Sequence, residues 1–456
     1  VSVEPDTIVA IATAPGPAAV AMVRLSGRRA GEILASLLGA AVGPPVRTPT
    51  LRAVLDPTSG EPLDQALVTL YEAPASYTGE DLVEISCHGG RLVPALVLDA
   101  CLASGARMAE PGEFTRRAYL NGKLDLLQAE AVADLVEAHS RRLHRAAMGQ
   151  LERGLSERVS ALRAGLIHVE ALLAHHLDFP EEDDAPVPVE GVVAEGTGVL
   201  RRLDALLATA PEGTLLRDGA VVVLAGRPNA GKSSLYNALL GEERAIVTEE
   251  PGTTRDALES MVQMGGFPFR LVDTAGLRAA EGRVERLGVE VARRYLARAD
   301  VVLLCVEAGT ALGPDESAFL GELGSKPIVR VDTKSDLSGE HPMADIGATY
   351  AGRVPVSIAS GEGLGELRDL LPRLVFRGLV GMAPDVPVVM RRRQERALSE
   401  ARREVGAFVE ALDAGMPAEI ATTHLRAAET ALEEVVGGVS TEEVLDAVFK
   451  EFCIGK

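Results

Sequence analysis

The octapeptide Gly226-Arg-Pro-Asn-Ala-Gly-Lys-Ser233 constrains this chain more than any other feature, because it joins the apolar run 221–225 to a helix-forming stretch. Two glycines at this spacing let successive backbone N–H groups turn inward onto phosphate oxygens, and the N-terminus of the following helix adds partial positive charge. A strand feeding such a loop and helix belongs to a doubly wound α/β sheet, and strand-like and helix-like runs alternate from 217 to 378. In this reading Lys232 reaches the β and γ phosphates of a bound nucleotide and Ser233 ligates magnesium. Asn229, Ala230, Gly231 and Ser234 complete the cradle.

Three further peptides follow in a fixed order. Gly252-Thr-Thr-Arg-Asp256 carries hydroxyls suited to closing over magnesium, Thr254 foremost, with Thr248, Gly252 and Thr253 beside it. Asp273-Thr-Ala-Gly276 follows the run 269–272, so Asp273 can hold magnesium through water while Thr274, Ala275 and Gly276 line the γ-phosphate side. Thr333-Lys-Ser-Asp336 follows a strand ending near 331 and offers Asp336 to the guanine N1–H and N2 amino groups, a pairing adenine cannot supply. Thr333 stands where an Asn amide usually ties the base to the phosphate loop, so a weakened tie is expected, with Lys334 beside it. The base O6 would meet Ser357-Ile358-Ala359. Leu277 cannot polarise water, which leaves hydrolysis to a residue outside these peptides.

The chain has 456 residues with 47% apolar but only 3% aromatic content and no Trp, which predicts two or three domains with aliphatic cores. Its net charge of -20 excludes a generally basic surface gripping nucleic acid, so any RNA contact is local or shared. The four cysteines form no CxxC, which predicts neither a zinc site nor a disulfide framework and fits a cytoplasmic location. No apolar run approaches the length of a membrane span. The predicted organisation is multidomain α/β plus α: an α+β domain over 1–122, a helical domain over 123–216 and 379–456, and an inserted P-loop GTPase domain of the Ras-like class over 217–378. Leu151, Leu155, Val159, Leu162, Leu166, Val169 and Leu173 form one helical stripe, and Leu425, Ala428, Leu432 and Val435 another. A further helix is expected to run to about Ala210.

Outside that insertion, several peptides resemble the MnmE family, also called TrmE. They include Asp6-Thr-Ile-Val-Ala-Ile-Ala-Thr13, Val23-Arg-Leu-Ser-Gly27, Tyr77-Thr-Gly-Glu-Asp81, Cys87-His-Gly-Gly90, Pro111-Gly-Glu-Phe-Thr-Arg-Arg-Ala118, Leu120-Asn-Gly-Lys-Leu-Asp-Leu126 and Phe452-Cys-Ile-Gly-Lys456. The resemblance implies GTP hydrolysis coupled to adding an aminomethyl or carboxymethylaminomethyl group at C5 of the wobble uridine of certain tRNAs. The one-carbon unit would come from a reduced folate, 5-formyl- or methylene-tetrahydrofolate. It also implies a homodimer formed through the N-terminal domains and a partner resembling the FAD protein MnmG. By the same resemblance Glu285 is the catalytic residue alongside Lys232, and potassium is held by Asn229 with oxygens of Thr248, Glu250 and Thr253. Folate would be held by Arg24, Glu84, Lys123 and Lys456.

Other residues carry weaker signals. Cys453 is a candidate nucleophile toward C6 of uracil, set against a packing role for a cysteine with apolar neighbours. His88 reads as structural in its His-Gly-Gly turn, and Arg391 to Arg393 as a solvated helix face or a tRNA contact. The competing function is a regulatory GTPase that gates RNA binding or ribosome assembly. A KH-type GxxG domain or a second G domain would mark it, and the sequence has neither.

Overall fold

The strand β1 (Ile8–Ile11) is aliphatic throughout, burial alternates along most of β2 (Val20–Ser26), and the two pair antiparallel with Ile8 opposite Ser26. The computed structural model describes residues 6–39, 43–178, 188–242, 259–273, 294–313, 320–337, 350–383 and 386–456. With β3 (Thr50–Leu55), β4 (Pro62–Tyr71), β5 (Leu82–His88) and β6 (Arg107–Met108), these strands form one sheet in the order β3-β4-β5-β2-β1-β6. Neighbours are antiparallel except β1 and β6. Helices α1 (Ala30–Leu38) and α2 (Val93–Ala103) bury Ile33, Leu34 and Val97 with Val23, Leu25 and Ile85 of the sheet. After α3 (Glu113–Leu120) and α4 (Leu126–Val136), a distant part of the chain joins the same unit: Leu445, Val448, Phe449 and Phe452 pack with Leu126, Ala129 and Ala133. Residues 1–133 with 433–456 make one compact unit, and 134–432 make a second.

The second unit contains α5 (Arg141–Leu151), α6 (Gly154–Asp178), α7 (Val189–Leu207) and α8 (Ala210–Asp218). Leu155, Val159, Leu162, Leu166, Val169 and Leu173 are all buried along α6, as their spacing requires. The helix expected to reach Ala210 instead stops at Leu207, because Pro211 has no N–H to extend it and is tolerated only in the first turn of a new helix. Then come β7 (Ala220–Ala225), α9 (Lys232–Glu242), β8 (Glu259–Met264), β9 (Phe267–Asp273), β10 (Val301–Glu307), β11 (Ile328–Thr333) and β12 (Gly352–Val356). The sheet order is β12-β11-β10-β7-β9-β8, parallel throughout except for β8. Both faces are covered, which is why β10 reads as the unbroken apolar run 301–306.

The chain's way into this sheet and its way out are fastened together. The Glu212 carboxylate accepts hydrogen bonds from Gly378 N and Leu379 N, each at 2.8 Å, and the Thr209 hydroxyl accepts from Val389 N at 3.0 Å. Arg217 and Arg391 both donate to Oδ1 of the buried Asp134, at 3.2 and 2.6 Å. Arg391 therefore does not belong to the solvated face expected of the Arg391 to Arg393 run. It is buried ahead of the helix Arg392–Asp413, where an unpaired charge would be costly.

Candidate functional site

Gly226 follows β7 with φ +138°, and a Cβ there would lie 2.3 Å from the Cys305 carbonyl of neighbouring β10, so only glycine lets the loop leave the sheet at this point. The loop then takes positive φ at Asn229 and Gly231. Lys232, buried at the start of α9, donates to the Gly226 and Arg227 carbonyls at 2.9 and 2.6 Å and so sits over the loop's own backbone. Ser233 Oγ donates to Asp273 Oδ2 at 2.8 Å. The register that sets Leu224 beside Asp273 on adjacent parallel strands makes that contact possible. A hydroxyl and a carboxylate are hard oxygen donors of the kind magnesium takes together with phosphate oxygens. Ser234 and Asn229 are exposed at the loop, while Ala230 is buried. Cys305, beneath the loop, has its thiol pushed up to about 12 by burial and is inert.

Since β7, β9, β11 and β12 run parallel, their C-terminal ends lie at one edge of the sheet, the edge where α/β sheets bind ligands. Thr333 ends β11, and its hydroxyl is shared between the Ala230 carbonyl at 2.9 Å and the Val306 carbonyl at 3.2 Å. The shorter Thr333 side chain thus reaches the phosphate loop itself, where a Cβ added at Gly231 would lie 3.4 Å from Thr333 Cβ. Lys334 has φ +55° and pairs with Glu307 at 2.9 Å, and Asp336 lies exposed in the turn Ser335–Leu337. Ser357 is buried at the end of β12, with Ile358 and Ala359 exposed after it. Thr248, Glu250, Gly252, Thr253, Thr254, Thr274, Ala275, Gly276 and Glu285 lie outside the described residues.

A second polar group forms in the N-terminal unit. Arg24 on β2 and Glu84 on β5 are register partners, and two guanidinium nitrogens donate to Glu84 Oε1 at 3.1 and 2.7 Å. The guanidinium also lies over the Tyr77 and Phe114 rings, and Tyr71 donates to Glu84 Oε2 at 3.4 Å. The segment 453–456 threads beside them: Pro111 bridges Ile454, Phe114 N donates to the Lys456 carbonyl at 3.2 Å, and Arg24 donates to the Gly455 carbonyl at 3.4 Å. Burial, then repulsion by Arg24, lowers the pKa of Lys456. Three of the four residues assigned to folate therefore share one place. Lys123 is exposed and donates to the Pro74 carbonyl at 3.1 Å, with no hydrogen bond or ion pair to Arg24 or Glu84 among the described residues.

Cys453 is exposed, beside the bridge that Ile454 makes with Pro111, which corrects the packing role expected from its apolar neighbours. His88 keeps its structural reading, since its backbone N–H and Nδ1 both meet the Asp64 carboxylate, at 2.8 and 2.7 Å. The sequence did not point to the ionic group around Arg117. This buried guanidinium meets Asp6 at 2.6 Å, Glu113 at 3.0 Å and Glu80 at 3.1 Å, and Arg107 also pairs with Asp6 and Glu113. Burial opposes ionisation of Glu113, but hydrogen bonds from Arg107, Glu110 N and Arg117 outweigh it and hold the carboxyl below its ordinary range. Only the clustering of charge in Pro111 to Ala118 hinted at this group.

Comparison with known proteins finds relatives along nearly the whole chain. A family profile described as "MnmE helical domain" matches residues 126–453, and one described as "GTP-binding protein TrmE N-terminus" matches residues 7–123. The tRNA modification GTPase MnmE of Moorella thermoacetica is 42% identical over 462 residues, covering 99% of each chain. That of Synechococcus sp. (strain JA-3-3Ab) is 42% identical over 455 residues, covering 99% of this chain and 98% of its own. Among solved structures, the G domain of the T. maritima FeoB iron transporter aligns at 27% identity over 34% of this chain and 98% of its own, with a TM-score of 0.25.

Proposed function

The chain belongs to the MnmE family of tRNA modification GTPases, a GTP hydrolase acting in tRNA modification, and from that premise we propose its reaction and the residues that serve it. The reaction adds an aminomethyl or carboxymethylaminomethyl group to C5 of the wobble uridine, with a reduced folate as one-carbon donor and an FAD-containing, MnmG-like partner. The observation that carries this reading is the Ser233–Asp273 contact beside Lys232, which joins two peptides 40 residues apart at the ligand-binding edge of the sheet. Lys232, Asn229 and the loop N–H groups hold phosphates, Asp336 selects guanine, and Ser357 supports the base. Ser233 and Thr254 hold magnesium, which when bound offsets charge on the β and γ phosphates. Glu285 orients the attacking water, and Asn229 with Thr248, Glu250 and Thr253 holds potassium; equal turnover in potassium and sodium salts would remove that cation role.

Arg24, Glu84 and Lys456 form the folate site, where two cations suit the glutamyl carboxylates and Glu84 suits the aminopyrimidine edge. Folate then displaces part of the Arg24–Glu84 pair. Residues 1–122 form the folate and dimer domain, 217–378 the G domain, and 123–216 with 379–456 the helical domain. A chain of net charge -20 fits RNA contact shared with a partner. Nucleoside analysis of tRNA from cells lacking the gene tests the proposal. Loss of the wobble C5 modification, restored by the wild-type gene, is expected, and an unchanged nucleoside profile would overturn it.

A further inference from the structure

Within the second unit, α6 and α7 border a hollow of about 370 Å³ together with Met382, Val386 and Pro387. Its walls are apolar, formed by Leu162, Leu206, Met382 and Pro387 among others, and Thr209 reaches it with a hydroxyl already bonded to the Leu206 carbonyl and to Val389 N. Two cations border these walls. Arg158 stands one turn before Leu162 on α6, and Arg202 one turn before Leu206 on α7. Arg158 and Arg202 are both exposed. The Arg202 guanidinium lies close over the α6 backbone, since a Cβ added at Gly165 would fall 3.0 Å from its Nη2, so glycine at that position lets the cation settle there.

Neither Arg158 nor Arg202 makes an ion pair or hydrogen bond with a described residue, and no carboxylate lines the hollow among those residues. Arg217, Arg391, Arg402 and Arg403 of the same unit find carboxylates, whereas Arg158 and Arg202 stand beside an apolar hollow in a chain of net charge -20. The volume lies in the range of small-molecule sites, and apolar walls with a few placed polar groups are their usual lining. We propose that this hollow binds a small amphipathic anion, a carboxylate, sulfonate or phosphate ester on a hydrocarbon or ring body, with the body against Leu162, Leu206 and Met382 and the head between Arg158 and Arg202. An occupant bridges the two helices and the side chains of Met382 and Pro387.

Calorimetric titration of the full chain with decanoate, below its micelle concentration, tests this site. Saturable one-site binding is expected, with 1-decanol, which has the body without the charge, and inorganic phosphate, which has the charge without the body, each at least tenfold weaker. The double variant Arg158→Gln/Arg202→Gln and the filling variant Ala205→Trp should each weaken decanoate at least tenfold. Arg158→Lys/Arg202→Lys should retain binding, which separates loss of charge from loss of fold. Absence of saturable decanoate binding, equal affinity for decanol or for phosphate, or unchanged affinity in the Gln variant would overturn the proposal. GTP affinity, measured on the same samples, is expected to be the same in all variants, so this result and the GTPase reading stand or fall separately.

Discussion

The phosphate loop and the Arg24–Glu84–Lys456 group place polar atoms in opposite ways. In the loop, eight consecutive residues carry most of the geometry, and Gly226, Asn229 and Gly231 set the backbone that the side chains then use. In the N-terminal group, side chains from the strands β2 and β5 meet the backbone of a segment 431 residues further along. A site made by local backbone shape survives any rearrangement that spares its peptide. A site made by long-range register is lost when one distant contact slips.

The largest expected effect lies on the local side of this contrast. Lys232→Ala should lower GTP turnover by about a hundredfold or more, as loss of a charge-stabilising group does, in steady-state assays. Turnover near wild type would mean the loop backbone alone suffices. On the long-range side, Gly455→Ala forces a Cβ to within 2.8 Å of Ala12 Cα at φ +96°, a strain of about 1–3 kcal/mol. Reduced-folate affinity by calorimetry should fall while GTP hydrolysis stays intact; a parallel loss of both would erase the distinction drawn here.

A smaller effect is expected at Thr333. Thr333→Val removes one neutral hydrogen bond, about 1 kcal/mol, and should raise the GTP KM by roughly fivefold. Thr333→Asn should restore the tie, and an unaltered KM in the Val variant would show that the hydroxyl contributes nothing. The smallest effect is one of pH. Glu113 has a folded pKa below its ordinary 4.5, so its contribution to stability is complete above that pH and is lost as pH falls through the depressed value. Thermal melting of the N-terminal unit should therefore drop on acidification below pH 4.5, and Glu113→Gln should flatten that drop. A slope unchanged by the substitution would assign the loss to other carboxylates.

The sequence revealed the parts of the molecule whose physics is local. Loop glycines, the order of the nucleotide peptides and the burial stripe of α6 all follow from spacing of a few residues. Partnerships across the chain did not. Arg391 reads as surface because its partner Asp134 is 257 residues away, and Thr333 reads as a deficit until Ala230 is seen beside it. The break between α7 and α8 was within reach, since Pro211 signals it, but apolar periodicity on both sides masked the boundary. The Arg24–Glu84 pair became a candidate only through family resemblance, because charge on a strand carries no sign of what faces it.

The fastening of Glu212 to Gly378 and Leu379, and of Thr209 to Val389, has an architectural consequence. The whole α/β sheet departs from and returns to a single spot on the helices, so its two ends behave as one attachment point. Such a unit can be gained, lost or exchanged through a change at one surface position, with the helices on either side keeping their mutual packing, as a cassette slides into a slot.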